Sequence, residues 1–578
     1  MRRGTDLMLV SCIVAAVCLL VAAGCSTGGG GEGDVAPDWS ASGDSGPDLP
    51  SGEVGLVDLA SDTGDDGDAA QDVAPRIPWC PGYEEAPERP GISEPGLRLR
   101  AEGWVRGDLH LHTTYSDGED TLATVLALAD YLREPVFLAA HPEYEGNGLD
   151  FLAITDHRVL DAPLDPDWHS ETLMLIPGEE IGGPGHANGW GLSEMVTLDA
   201  AGDGAAFEDW QAAADNVHGQ GGLLSMNHPY SIGIEFPWDI RNHDAVEIWN
   251  TAWAPMAISY GPADLEPWEA AHGPASAPFR KGMSYGGVGG NMQALKMVEA
   301  QLALGMHPAV VGGSDRHALF LPGFPTTWVK AGDPSMGGVL SGIASKRTFV
   351  SRGPAAATVE LSVLLPGKAG NGSECFERYE MGDVIGIPTD GSSPVTFRIR
   401  VGRAEGGLLR LIRGHAVEGD DALEAATLGE AVFEASLDGP DVTVETQLIV
   451  AVGDWVYPMV LEPLVPAGLP KDQAKLVPKM VEAALKTGPE DYDALIEVFW
   501  DVIDFDVVLA PQDCDPAKWD PNKMQCAPPD ATGIATFYLP DFVGRALNAL
   551  IENGQATDWC VGAVGTATVF EAPGEELK

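Results

Sequence analysis

The stretch Gly107-Asp108-Leu109-His110-Leu111-His112-Thr113-Thr114-Tyr115-Ser116-Asp117-Gly118 decides how the rest of the chain is read. In an extended strand side chains alternate faces, so His110 and His112 share one face and Leu109 and Leu111 the other. Two imidazoles side by side at the end of a short apolar strand can grip one cation. Asp117 follows on the exiting loop, within reach of the same space. A strand with two surface histidines fits the same letters, so this stretch alone leaves both readings open.

The residues downstream choose between them. From residue 100 to 352, short apolar runs that end in polar residues alternate with helical stretches. Val105 to Leu109 leads to His110 and His112, and Thr121 to Arg133 predicts a helix. Phe151-Leu152-Ala153-Ile154 ends in Thr155-Asp156-His157. Leu173 to Ile176 ends in Pro177-Gly178-Glu179-Glu180, followed by Gly185-His186-Ala187-Asn188. A helix expected from about Phe207 to His218 precedes Gly222 to Met226, which ends in Asn227-His228-Pro229. Ala245-Val246-Glu247-Ile248-Trp249 ends in Asn250, and Ala309-Val310-Val311 ends in Gly312-Gly313-Ser314-Asp315-Arg316-His317. Strands alternating with helices imply a parallel sheet. Polar residues gathered at successive strand ends imply a barrel-like α/β site. Of 13 histidines, all but His415 lie between residues 110 and 317. Isolated core or surface histidines do not account for five strand ends carrying His, Glu or Asp, so a metal site is expected.

These motifs, in this order, resemble the PHP (polymerase and histidinol phosphatase) superfamily. The Pro-Gly-Glu-Glu and Gly-His-Ala-Asn pairing and the Glu-Ile-Trp-Asn run look like its CehA/McbA branch. The resemblance covers roughly residues 100–355, including the Arg347-Thr348-Phe349-Val350 ending. It implies an α/β fold, a distorted (β/α)7 barrel, with two or three divalent metal ions (Mn, Zn or Fe). Carried over residue by residue, His110, His112, Glu180 and Asp315 would hold one metal. Glu180 would also reach a second, with His186 and His228. Asp117, His157 and His317 would hold the third. Glu180 is chosen over Glu179 because the family has Gly-x-Glu, and one step along a strand reverses the side chain. Asp117 stands where other members have His, and an oxygen ligand there favours a harder metal such as manganese or iron, or a weaker third site. His141 and His169 lie in insertions and are read as loop residues.

Hydrolysis explains why these residue types would be needed. Metals held by His and carboxylates bring the pKa of bound water near neutrality and polarise the scissile oxygen. A bridging carboxylate such as Glu180 holds two cations close despite their repulsion. Asp315 could also accept a proton from water. Arg316, beside the cluster, could clamp an anion or form an outward salt bridge.

The chain has 578 residues, enough for two or three domains, with a formal charge of −54. That charge argues against a nucleic-acid or anionic-lipid surface. Arg2 and Arg3 precede an apolar run from Leu7 to Ala23, and Val21-Ala22-Ala23-Gly24-Cys25 follows. This has signal-peptide flanks and resembles a bacterial lipobox, with Cys25 lipidated. The mature protein is expected outside the cytoplasm, as an exported lipoprotein of the cell envelope anchored to the membrane through its N-terminal lipid. Residues 26–75 lack Lys and Arg and read as an extended acidic tether. Of eight cysteines, Cys12 and Cys18 leave with the signal and Cys25 carries lipid. Cys80, Cys375, Cys514, Cys526 and Cys560 remain, with Cys514–Cys526 the expected pair and one thiol left over.

Residues 76–354 are therefore read as the metallohydrolase barrel. Residues 355–465, where Thr358 to Val363, Val395 to Arg400, Leu409 to Ile412 and Val442 to Val444 alternate, read as a β-sandwich-like domain. Residues 466–578 read as a mixed region, with helices at Asp472 to Lys486, Asp491 to Ile503 and Asp541 to Ile551, and a strand from Trp559 to Phe570 that closes the β-domain. The expected function is a metal-dependent hydrolase acting on a small ester, carbamate, amide or phosphoester. The contrasting class is a surface binding or adhesion module that retains a metal-binding barrel without turnover.

Overall fold

The computed structural model describes residues 79–82, 95–486 and 541–572, apart from 183–184, 199–206, 232–234, 251–261, 287–288, 318–320, 389–391, 418–422, 424–427 and 553–554; between 487 and 540 it describes the two-residue strands at 507, 519, 525 and 534. The signal segment, Cys25, the tether, the helix at Asp491 to Ile503 and Cys514 of the expected Cys514–Cys526 pair lie outside the described residues. Among the described residues no helix is long and apolar enough to cross a membrane.

The architecture is mixed α/β, with one large sheet and a second sheet of four strands. Nine strands build the first part: β1 (Trp104–Asp108), β2 (Phe151–Ile154), β3 (Met174–Gly182), β4 (His186–Trp190), β5 (Leu223–Asn227), β6 (Ala245–Asn250), β7 (Ala309–Gly313), β8 (Thr326–Lys330) and β9 (Thr348–Ser351). They lie in the order β9-β8-β1-β2-β3-β4-β5-β6-β7. The pairs β1–β2, β2–β3, β5–β6 and β6–β7 are parallel. β4 runs antiparallel to both β3 and β5, and β8 to both β1 and β9. The far ends of this path come together through side chains: Gly312 N donates to Thr327 Oγ1 and Thr348 Oγ1 donates to Val310 O, at 2.8 and 2.7 Å.

Every residue of β2, β5, β6 and β7 is buried, as expected where a sheet is covered on both faces. Helix Leu122–Tyr131 starts at Thr121, whose hydroxyl accepts from Thr124 N and satisfies one of the open amides of the first turn. Ser335 does the same for helix Met336–Ala344. Leu109 and Leu111 bury themselves in different apolar clusters, which turns His110 and His112 towards the strand ends.

The second part contributes β10 (Thr358–Lys368), β11 (Glu374–Glu380), β12 (Val384–Gly386), β13 (Ser392–Gly402), β14 (Leu408–His415), β15 (Glu430–Ser436), β16 (Asp441–Ala451) and β17 (Asp454–Pro463). β11-β10-β13-β16 form the four-stranded sheet. On β13 Val395, Phe397, Ile399 and Val401 are buried, a period of two that points one face inward. That face packs with Leu409 and Leu411 of β14 and Val456 and Val460 of β17, which belong to the large sheet.

The C-terminal end departs from the expected single closing strand. Three strands, Ala549–Glu552, Gln555–Gly565 and Thr568–Glu571, are present. The helix expected at Asp541 to Ile551 stops at Leu547, because Ala549–Glu552 pairs with Gln555–Gly565, which in turn pairs with both β17 and β9. The last strand region therefore joins the first part to the second in one sheet. Cys80 is bonded to Cys375 at the start of β11, and Trp79 bridges Phe376 beside it. Among the described residues Cys560 is free and buried.

Candidate metal centre

Glu180, near the end of β3, is the hub. Its two carboxylate oxygens lie 3.2 Å from His110 Nε2, 3.3 Å from His112 Nε2, 3.0 Å from His157 Nδ1, 3.0 Å from His186 Nδ1 and 3.1 Å from His228 Nε2. Asp315 Oδ1 lies 3.3 Å from His110 Nε2, 3.1 Å from His112 Nε2 and 3.6 Å from His317 Nδ1. Asp117, on the exposed loop after His112, reaches His317 Nε2 at 3.2 Å and His157 Nε2 at 3.6 Å. The nine residues expected to ligate metal therefore converge, although they span more than two hundred positions. With Glu247 they form four overlapping groups able to hold a metal ion: His110, His112, Glu180 and Asp315; His112, Asp117, His157 and His317; His157, Glu180 and His186; and His110, His228 and Glu247. His228 is thus grouped with His110 and Glu247 rather than with Glu180 and His186. Glu179 faces away and accepts from Val196 N at 2.8 Å.

Two of these residues are held in backbone conformations that L-residues rarely adopt, His228 at φ 24° and Asp315 at φ 49°. Such conformations cost about 1–3 kcal/mol each and persist where surroundings enforce them. Here both occur just after a strand ends, where the turn directs the side chain into the cluster.

The donor set fits divalent cations. Ligand atoms about 2.0–2.1 Å from a common ion stand roughly 3.0–3.4 Å from one another, and the contacts among His110, His112, Glu180 and Asp315 span 3.1–3.3 Å. His110 Nε2, His112 Nε2, Glu180 Oε2 and Asp315 Oδ1 are buried and make no hydrogen bond. Buried polar atoms normally find a partner, and a cation among them would serve all four.

The protonation balance points the same way. Burial depresses the His112 imidazole, and His317 and His157 add to the effect. Burial opposes charge on His110 too, but Asp315, Glu180 and Glu247 outweigh it and raise its pKa well above the ordinary value. Burial would raise Glu180, yet the surrounding imidazoles, His110 first, hold it well below the usual carboxylate range. His317 is penalised by burial but raised to about 9 by Asp117 and Asp315. Without metal, the cluster thus keeps protons on some imidazoles to offset its carboxylates, and a cation would take over that role.

Sequence reasoning assigned no role to four residues that brace the cluster. Glu247 of β6 accepts at both oxygens: His110 Nδ1 lies 3.1 Å from Oε1, and His228 N donates to Oε2 at 3.0 Å. A carboxylate in phase with buried apolar neighbours on Ala245-Val246-Glu247-Ile248-Trp249 was the available signal. Asn227 Nδ2 donates to Glu180 Oε1 at 3.1 Å. Asp156 accepts from Thr113 N, Thr113 Oγ1 and Ser116 Oγ at 2.7–2.8 Å, fixing the loop that carries Asp117. Asp108 accepts from Ser314 N at 3.0 Å and Gly323 N at 2.7 Å, tying the end of β1 to the segment carrying Asp315. Arg316 is buried and forms an ion pair with Asp120. His141 stands at a helix end 3.7 Å from Glu143, and His169 lies in a loop.

No family model and no curated protein matches the chain. Among solved structures it is similar to a two-domain protein from Bacteroides vulgatus ATCC 8482 containing a predicted PHP-like metal-dependent phosphoesterase. The identity is 16%, with 62% of this chain and 90% of that one covered and a TM-score of 0.27. It is also similar to PsfC from Pseudomonas syringae PB-5123, at 15% identity, covering 41% of this chain and 88% of that one, with a TM-score of 0.26.

Proposed function

We propose that this chain is a metal-dependent hydrolase of the PHP type, related to the CehA/McbA branch, with a distorted (β/α)7 barrel as its catalytic part. One observation carries the proposal: the imidazoles of His110, His112, His157, His186 and His228 converge on the single carboxylate of Glu180. Asp117, Glu180, Glu247 and Asp315 bring four negative charges, enough to balance two divalent ions. Bound there, the metals would supply an acidic water and a positive charge for the oxygen that gains negative charge in the transition state. Glu180 spans the cluster and would help to hold both of the innermost metals. Asp315 is fixed for proton transfer, since Asn250 Nδ2 donates to its Oδ2 at 3.3 Å while Oδ1 faces the imidazoles. His317 and Asp117 stand at the more exposed side, where an outer metal would exchange most readily.

Arg316 is engaged by Asp120, which favours small, weakly charged esters, amides, carbamates or phosphodiesters over phosphate-rich polymers. Export, lipidation at Cys25 and attachment to the envelope membrane belong to the same proposal, supported by the N-terminal sequence. The test is a panel of aryl and alkyl carboxylic esters, carbamates and phosphodiesters, assayed with Mn, Zn and Fe(II). Metal-dependent turnover that Asp315→Ala abolishes is expected. Stoichiometric metal binding with no turnover across the panel would favour the binding module instead.

A further inference from the structure

A cavity of about 120 Å³ lies beside the cluster, between β6, Tyr144 and the C-terminal helix Asp541–Leu547. Asn250 lines it, and the same amide donates to Glu247 Oε2 at 3.1 Å and Asp315 Oδ2 at 3.3 Å. One side chain thus separates the cavity from the candidate metal ligands. We infer that this cavity is a substrate subsite that takes a ring-sized, uncharged or cationic organic group attached to the scissile bond, with the C-terminal helix as its wall. Its place next to the reacting bond rests on the hydrolase proposal; its capacity to bind such a group does not.

Size sets the first limit. An apolar cavity of about 150 Å³ holds benzene, whereas whole-ligand pockets run to roughly 300–1,000 Å³. The space therefore fits one ring and not an entire substrate. Tyr144, Trp249, Phe324 and Leu547 give it apolar and aromatic walls, and Asn291 and Asn548 add neutral amides. Charge sets the second limit. Glu143 and Asp541 lie on the lining, and Arg352 is already engaged by Asp541 and Glu462. Its Nε and Nη2 donate to Glu462 Oε2 at 2.9 and 2.5 Å, and its Nη1 to Asp541 Oδ1 at 2.7 Å. An anionic group would meet two carboxylates and a guanidinium with its charge already balanced.

The helix itself leaves the space open. Gly544 is in mid-helix, where glycine costs roughly 0.5–1 kcal/mol relative to alanine. A Cβ placed there would approach just one atom within 4 Å, Arg352 Nη1 at 3.5 Å. Arg352 and Arg545, through Asp541 and Glu462, clamp the helix in position over the cavity.

The experiment measures binding of phenol, benzylamine and benzoate to the full-length protein, metal-free, by ligand-observed NMR. Phenol and benzylamine are expected to bind, benzoate at least tenfold more weakly, and Gly544→Leu to weaken phenol and benzylamine at least tenfold. No binding, a preference for benzoate, or equal binding by wild type and Gly544→Leu would overturn the inference. If Gly544→Leu does not fold by circular dichroism, Leu547→Ala replaces it. That variant should raise the affinity ratio of 2-naphthol to phenol at least fivefold, and an unchanged ratio would overturn the inference. Because no turnover is measured, failure of the hydrolase proposal leaves these outcomes readable. Where hydrolysis is found, Gly544→Leu should also lower the ratio of aryl-ester to methyl-ester turnover at least tenfold.

Discussion

Glu247→Gln is the substitution whose consequence follows most closely from geometry. Glu247 uses both oxygens as acceptors, with His110 Nδ1 on one side and His228 N and Asn250 Nδ2 on the other. A glutamine keeps the shape but has one acceptor and one donor end. If its oxygen serves His110, its NH2 faces the His228 amide and the Asn250 side chain, donor against donor. If it turns over, the NH2 faces His110 Nδ1, which must then be the unprotonated nitrogen. The proton moves to Nε2, the atom that faces Glu180 and Asp315, and a protonated nitrogen cannot ligate. Either orientation leaves a buried mismatch of about 1–3 kcal/mol. Partners that orient a ligating histidine typically account for 10–100-fold in metal affinity, which is the same range. Competition titration against a chromophoric chelator at pH 7 should therefore show metal binding 10–100-fold weaker in Glu247→Gln. Activity should return as metal is raised. Affinity within twofold of wild type would refute the positioning role.

Three further outcomes follow. His228→Ala should lower metal content and abolish hydrolysis while the unfolding midpoint stays within a few degrees of wild type; unchanged activity would remove His228 from the site. In the metal-free protein, the raised pKa of His317 stabilises the fold below about pH 6.5 and loses its effect as pH rises through about 9. The size is about 3 kcal/mol at most, so urea midpoints should fall across that window, and Asp117→Asn should flatten the decline; a midpoint that rises with pH there would contradict it. Cys80 and Cys375 are 295 residues apart, and closing so long a loop stabilises by about 2–5 kcal/mol. Cys80→Ser should therefore lower the unfolding midpoint to that of reduced wild type, and an unchanged midpoint would show that the bond contributes nothing.

Much of the site was legible because its chemistry is local. His110-x-His112, Thr155-Asp156-His157 and Asn227-His228-Pro229 each place a candidate ligand at the end of an apolar run, and a run ending is visible in the letters. Period two allows only one of Glu179 and Glu180 to face the cluster; the Gly-x-Glu resemblance chose Glu180, and the structure turns Glu179 towards Val196 N. Glu247 escaped because its role depends on two residues, 137 and 19 positions away, that nothing in its own strand announces. Long-range pairing was equally hidden. No spacing rule links Cys80 to Cys375, and the alternation of Gln555–Gly565 identifies a strand without saying that β9 is its neighbour. The part played by the C-terminal helix in lining the cavity arises from tertiary packing through Arg352, Glu462 and Asp541, and leaves no local pattern.

The most direct measurement is anomalous diffraction from crystals of the protein grown with manganese or zinc, recorded on both sides of the metal edge. Two or three peaks are predicted, flanking Glu180 and within bonding distance of His110, His112, His186, His228 and Asp315. Peaks confined to other acidic surfaces, with the space around Glu180 free of anomalous signal at saturating metal, would contradict the metal centre and the hydrolase built on it.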